Sequence, residues 1–144
     1  MKILAVDVGL ARTGLAVCDR EERLSSPLCV VQERSMERLS EKVAATAAEQ
    51  RAGEIVVGHP LNMDGSAGER ARACAAFAER LRALTRLPVR LWDERCTTVS
   101  AIGYLNQTDV RGKKRKAVVD AVAAVIILDN YLAWRKNHPD QAGV

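Results

Sequence analysis

Three places in the sequence put carboxylates where apolar residues are expected. Asp7 interrupts the run Ile3-Leu4-Ala5-Val6 and Val8, and Asp93 and Glu94 close the segment VRLWDE, directly before Arg95-Cys96-Thr97-Thr98. Asp120 sits in AVVDAVAAVIIL, where its helical neighbours at i−3, i+3, i+4 and i+7 are Ala117, Ala123, Ala124 and Ile127. A lone acid among core residues is costly unless it is hydrogen-bonded, paired with a cation or bound to a metal. If the three converge, each carboxylate disfavours ionisation of the others, and a divalent cation is the natural remedy. Magnesium and manganese favour oxygen ligands in octahedral geometry. Two such ions roughly 3.5–4 Å apart would activate a water and stabilise the leaving oxygen of a phosphodiester.

Each acid also has a plain structural reading. A strand-end aspartate commonly caps a helix or joins a salt bridge, Asp93 and Glu94 could pair with Arg12 or Arg95, and Lys116 stands at i−4 from Asp120. Strand alternation puts Trp92 and Glu94 on one face and Leu91 and Asp93 on the other, so only one of the two acids can join Asp7. Cationic residues supply candidate phosphate contacts. Arg12 either touches a phosphate or locks its turn. Five of the six residues in RGKKRK are basic (Arg111, Lys113, Lys114, Arg115 and Lys116), and they lie just before Asp120. They suit contact with a nucleic-acid backbone. The loop Asn62–Gly68 either offers a helix N-terminus to a phosphate or is a surface loop. Aromatic residues are few, which favours recognition by backbone and shape over base stacking.

The elements that must position these residues can be read from periodicity. Residues 2–8 and the segment GLAVCD form a strand pair turning at GLART, with Gly9 and Gly14 freeing the backbone, and residues 27–33 add a third strand. A helix capped by Ser35 carries Met36, Leu39, Val43 and Ala47 on one stripe and ends at Gly53. EIVVGHP is a continuously apolar strand covered on both faces, with His59 a strand-end side chain. Ser66 and Glu69 have capping-box spacing, and the helix they open carries Cys74, Phe77, Ala78, Leu81 and Leu84. A strand over 89–94, a helix from about Thr97 to Asn106, a basic loop and a last helix over 117–136 complete the order β-β-β-α-β-α-β-α-α. That order specifies an α/β fold with a mixed sheet flanked by helices. Residues 1–138 read as one domain and 139–144 as a flexible tail.

Composition agrees. The 144 residues are 48% hydrophobic and 28% charged, with a net charge of +4, a mild basic excess compatible with a polyanionic partner. The apolar start lacks signal-peptide form, and no window approaches the roughly 20 apolar residues of a membrane span. Cys18, Cys29, Cys74 and Cys96 show no zinc-site spacing and read as reduced core thiols of a cytoplasmic protein.

Four blocks together resemble one family. DVGLARTGLAVCD, VVGHPLNMDGSAGERA, LWDERCTTVSA and KAVVDAVAAVIILDNYL are similar, in this order, to the conserved blocks of the YqgF/RuvX family of small bacterial proteins described as pre-16S rRNA nucleases or Holliday-junction-resolvase-like. The resemblance implies a ribonuclease-H-like fold with a five-stranded sheet, and cleavage of a phosphodiester backbone dependent on Mg²⁺ or Mn²⁺. It places the catalytic and metal-binding acids at Asp7, Glu94 and Asp120, preferring Glu94 to Asp93, with Asp7 as the bridging ligand. Related resolvases carry a fourth acid where this chain has Ala123. The implied partners are a ribosomal RNA precursor, within ribosomal particles, or branched DNA, acted on by a monomer or a homodimer. Two other readings stand beside the nuclease: a non-catalytic RNA-binding factor of ribosome assembly, and an actin-like or sugar-kinase-like ATPase, whose second lobe 144 residues cannot supply.

Overall fold

The structure, a computed structural model, describes residues 1–96 and 112–138, and at Cys96 and residues 112–120 it describes the backbone alone. Five strands, β1 (Ile3–Asp7), β2 (Arg12–Cys18), β3 (Ser25–Gln32), β4 (Glu54–His59) and β5 (Val89–Asp93), form one sheet in the order β3-β2-β1-β4-β5. β1, β2 and β3 pair antiparallel, while β4 runs parallel to both β1 and β5. The α/β fold with a mixed five-stranded sheet, expected for a ribonuclease-H-like protein, is therefore present.

Two helices, α1 (Met36–Gln50) and α2 (Glu69–Thr85), make the parallel crossovers. They bury Leu39, Val43, Phe77 and Leu81 against Leu4, Val6, Ile55 and Val57 on one face of the sheet. The last helix, α3 (Gly112–Asn137), covers the other face, where Ala124, Ile127, Leu128 and Tyr131 meet Ile3, Ala5, Ala16 and Val56. Alternation explains the division: Leu4 and Val6 of β1 point one way, Ile3 and Ala5 the other. Small residues on both sides, Ala5 and Ala16 against Ala124, let α3 approach the sheet closely. Ile127 lies beside Gly58 at the end of β4 and Tyr131 beside Glu54 at its start, so α3 runs antiparallel to β4.

Several local expectations are corrected. α3 starts at Gly112 rather than near 117, so the residues from Lys113 to Lys116 form its opening turns instead of a loop. Lys and Arg are good helix formers, because their unbranched stems lose little freedom there. α1 ends not at Gly53 but at Arg51, which takes the left-handed conformation (φ 56°). The Ser66–Glu69 capping box does not form. Gly68 is the N-cap of α2 and makes no side-chain cap bond, while Ser66 is held by Asp64 at 2.9 Å within the preceding turn. The Ser35 cap of α1 is present, accepting from Arg38 N at 3.3 Å. Gly9 is needed for space, since a Cβ there would stand 2.0 Å from Arg12 O. Cys18 and Cys74 are buried thiols, but Cys29 is exposed on the edge strand β3. The helix expected over 97–106 and the tail from 139 lie outside the described residues. Among the described residues, no helix is long and apolar enough to cross a membrane.

Candidate active site

Asp7 is the last residue of β1, and Glu94 is the first residue beyond β5, opening a short 3₁₀ turn (Glu94–Cys96). β4 lies between their strands, so both acids sit at one end of the parallel part of the sheet. The face follows from alternation. Asp7 continues the row of Ile3 and Ala5, and Glu94 continues that of Arg90 and Trp92, both on the α3 side.

Glu94 and Asp7 are hydrogen-bonded through their carboxyl groups. Two ionised carboxylates at this distance repel each other, so the pair is a place where positive charge is favoured. Burial pushes the Glu94 carboxyl above the ordinary glutamate range, opposed chiefly by the charge of Arg70, then by the bond to Asp7 and the charge of His59. Gly58 makes the room: a Cβ there would stand 2.6 Å from Glu94 Oε1 and 2.8 Å from Ile127 Cδ1.

Asp93 takes the structural role left open for it. Arg95 places Nε 3.0 Å from both its carboxylate oxygens and Nη2 at 2.6 Å, which holds Asp93 below the usual aspartate range. Arg95 Nη1 also donates to Met63 O at 3.3 Å, fastening the turn after β4 to the end of β5. That turn is closed by Gly65 N donating to Asn62 O at 2.9 Å, with Gly65 at φ 89°.

The remaining expected residues are distributed unevenly. Asp120 lies in α3 one turn before Ala124, with its backbone alone described. The same holds for Lys113, Lys114, Arg115 and Lys116, and Arg111 lies outside the described residues. Arg12 begins β2 and pairs with Gln32 of β3, on the opposite side of β1 from β5, so the structure does not bring it to Glu94.

Sequence reading missed three neighbours of the acids. Arg70, in the first turn of α2, donates from Nη2 to Val8 O at 2.8 Å. Cys74, one turn further on, is buried near Asp7 and Glu94, and chiefly burial raises its thiol to about 11. His59 ends β4 opposite Asp93, with its Nε2 buried and without a hydrogen-bond partner among the described residues. Only the helical spacing of Arg70 and Cys74 hinted that they share a stripe.

Among the described residues, no three His, Cys, Asp or Glu side chains gather into a metal-binding group. The donor set of Asp7 and Glu94 nevertheless fits a hard divalent cation. Both supply oxygen, their close approach concentrates negative charge that a cation would neutralise, and the space that Gly58 leaves open is one a Cβ would fill.

Known proteins share this architecture. A family model described as "RuvX: Holliday junction resolvase" matches residues 1–134. A protein of Anaeromyxobacter sp. (strain Fw109-5), named "Putative pre-16S rRNA nuclease", is 44% identical over 135 residues, covering 94% of this chain and 98% of its own. A protein of the same name from Lachnospira eligens is 40% identical over 135 residues, covering 92% and 96%. Among solved structures, T. thermophilus RuvC in complex with a Holliday junction substrate aligns with a TM-score of 0.62 at 14% identity, covering 93% of this chain and 96% of that one. That likeness concerns the fold.

Proposed function

This chain belongs to the RuvX family, and from that premise we propose that it is a metal-dependent nuclease hydrolysing phosphodiester bonds in structured nucleic acid, with 5′-end maturation of the 16S ribosomal RNA precursor as its task. The observation that carries the reading is the Asp7–Glu94 pair: two half-buried carboxyls brought into contact at the ends of β1 and β5. The names of relatives matched over nine-tenths of the chain supply the substrate.

Asp7, Glu94 and Asp120 are the residues that would hold Mg²⁺ or Mn²⁺. The ion, when bound, supplies charge that stabilises the phosphoryl oxygens and activates a water. The chain's own contribution is positional. Gly58 admits the Glu94 carboxyl, the Asp93–Arg95 pair fixes the turn that bears it, and close packing of α3 sets the height of position 120 above β1. The opening turns of α3, with Lys113, Lys114, Arg115 and Lys116, and the preceding Arg111 offer a basic approach for a phosphate backbone.

A second reading, resolution of a four-way DNA junction, is favoured by the description of the family model. One experiment decides between them. Purified protein and its Asp7→Asn variant are incubated with Mg²⁺ or Mn²⁺ against a precursor 16S RNA fragment and a four-way DNA junction. Metal-dependent cleavage of the RNA alone, lost in the variant, is the expected result. Cleavage of the junction alone selects the second reading, and cleavage of neither by the unmodified protein overturns both.

A further inference from the structure

We propose that Arg70 is a substrate-contacting residue of this site, its guanidinium placed to grip the phosphate backbone beside Asp7 and Glu94; the inference rests on the nuclease reading above. Arg70 stands in the first turn of α2 and is exposed. Its Nη2 donates to the carbonyl of Val8, the residue after Asp7, at 2.8 Å. One arm of the fork is thus anchored next to a candidate metal ligand, and the other donors of the guanidinium have no hydrogen-bond partner among the described residues. Its charge lies near enough to Glu94 and Cys74 to favour their ionised forms.

The other arginines around β4 and β5 are committed, Arg95 at this end of the sheet and the rest at its far end. Arg95 is bound to Asp93, Arg82 to the carbonyl of Val89, Arg90 to Glu54, and Arg135 to Glu54 and Glu22. Arg70, by contrast, forms no ion pair among the described residues, although two carboxyls lie close by. An exposed cation held at the rim by a neutral carbonyl, with no ion-pair partner among the described residues, suits an anion that arrives from solvent. A planar guanidinium meets a phosphate through two parallel N–H···O bonds. Holding the side chain in place beforehand also reduces the ordering cost on binding.

The competing explanation is mechanical, with Arg70 merely tying α2 to the segment after β1. The two roles differ in sign. A tether lost by Arg70→Ala loosens the acids and weakens metal binding. A lost phosphate contact removes a positive charge beside them, which leaves cation binding unchanged or tightens it, by about threefold from the Coulomb term. The test measures Mn²⁺ affinity of nucleic-acid-free protein by electron paramagnetic resonance, with kcat and KM on whichever of the RNA fragment and the junction is cleaved. Arg70→Ala is expected to lower kcat/KM by about 10²-fold while Mn²⁺ binds as well or better. Arg70→Lys, which keeps the charge and loses the fork, should retain wild-type Mn²⁺ affinity and recover part of the cleavage. Weaker Mn²⁺ binding in Arg70→Ala, or cleavage equal to the unmodified protein, overturns the role assigned to Arg70 and leaves the nuclease reading intact. Unmodified protein that cleaves neither substrate overturns the nuclease reading, and this inference falls with it.

Discussion

Two glutamates on the α3 side of the sheet have opposite surroundings. Glu54 begins β4 and is fully buried. Tyr131 OH donates to its Oε1, Arg135 Nη1 lies 2.9 Å from Oε2, and Arg90 Nε stands 3.0 Å from Oε1, off the hydrogen-bond direction, as an ion pair. Arg135 in turn reaches Glu22 at 2.8 Å, which ties the turn after β2 to α3. Glu94, near the other end of β4, has Asp7 for its hydrogen-bond partner and no cation in direct contact among the described residues. Even the row of β4 that runs between them changes character, from Glu54 through Val56 to Gly58. Burial of an acid therefore marks no function by itself. What distinguishes a structural carboxylate is that the protein has completed its partners, whereas Glu94 has only a second carboxyl against it among the described residues.

The largest effects should separate the two glutamates cleanly. Asp7→Asn or Glu94→Gln should lower cleavage by about 10³-fold or more, with melting temperatures in EDTA equal to or above that of the unmodified protein. Glu54→Gln should do the reverse, since it leaves two guanidinium groups without their buried counter-charge. It is expected to cost about 3–5 kcal/mol of stability in urea unfolding, with turnover per folded molecule unchanged. If Glu54→Gln abolished cleavage in fully folded protein, the division between the two sites would be wrong.

A smaller effect sharpens the same contrast on β4. Gly58→Ala introduces a Cβ within 2.6 Å of Glu94 Oε1 and 2.8 Å of Ile127 Cδ1. Both must move, so the variant should lose about 1–3 kcal/mol and also lose activity. Its Mn²⁺ affinity, measured by titration, should fall with the activity. Unchanged affinity would mean that Glu94 is free to find another position.

How much of this was legible beforehand depends on the distance over which the signal acts. Local periodicity located five strands and the helices α1, α2 and α3, because each element buries one face and repeats at its own period. Parity within β5 put Asp93 and Glu94 on different faces, and in the structure Asp93 turns to Arg95 and Glu94 to Asp7; which of the two met Asp7 was indicated only by the family resemblance. Glu54 was invisible as a buried acid, since its partners Arg90, Tyr131 and Arg135 lie 36 to 81 residues along the chain and only the folded sheet brings them together. Arg70 escaped for the same reason, its partner Val8 being 62 residues away. Helix ends failed differently. Gly53 and the Ser66–Glu69 pair are good local signals, but Gly53 N is taken by Lys2 O at 2.8 Å and Ser66 by the turn around Asp64.

The smallest expected effect is a pH dependence, and it tests whether Glu94 is in fact incomplete. Burial raises the Glu94 carboxyl above its ordinary range, so the folded protein binds this proton more tightly than the unfolded chain does. Stability from this group is then fully present below the ordinary glutamate range and is lost as the pH climbs to the raised folded value. Glu94→Gln has no such dependence. In EDTA, the unfolding free energy of Glu94→Gln relative to the unmodified protein should therefore rise between acid and neutral pH and level off above the folded value. Added Mg²⁺ or Mn²⁺ should reverse the ranking at neutral pH, because an ion that binds only the native ionised pair stabilises it by mass action. Urea unfolding of both proteins across pH, with and without the ion, measures both differences. A flat EDTA profile would mean that the Asp7–Glu94 pair is already satisfied within the protein, and the contrast with Glu54 would lose its physical basis.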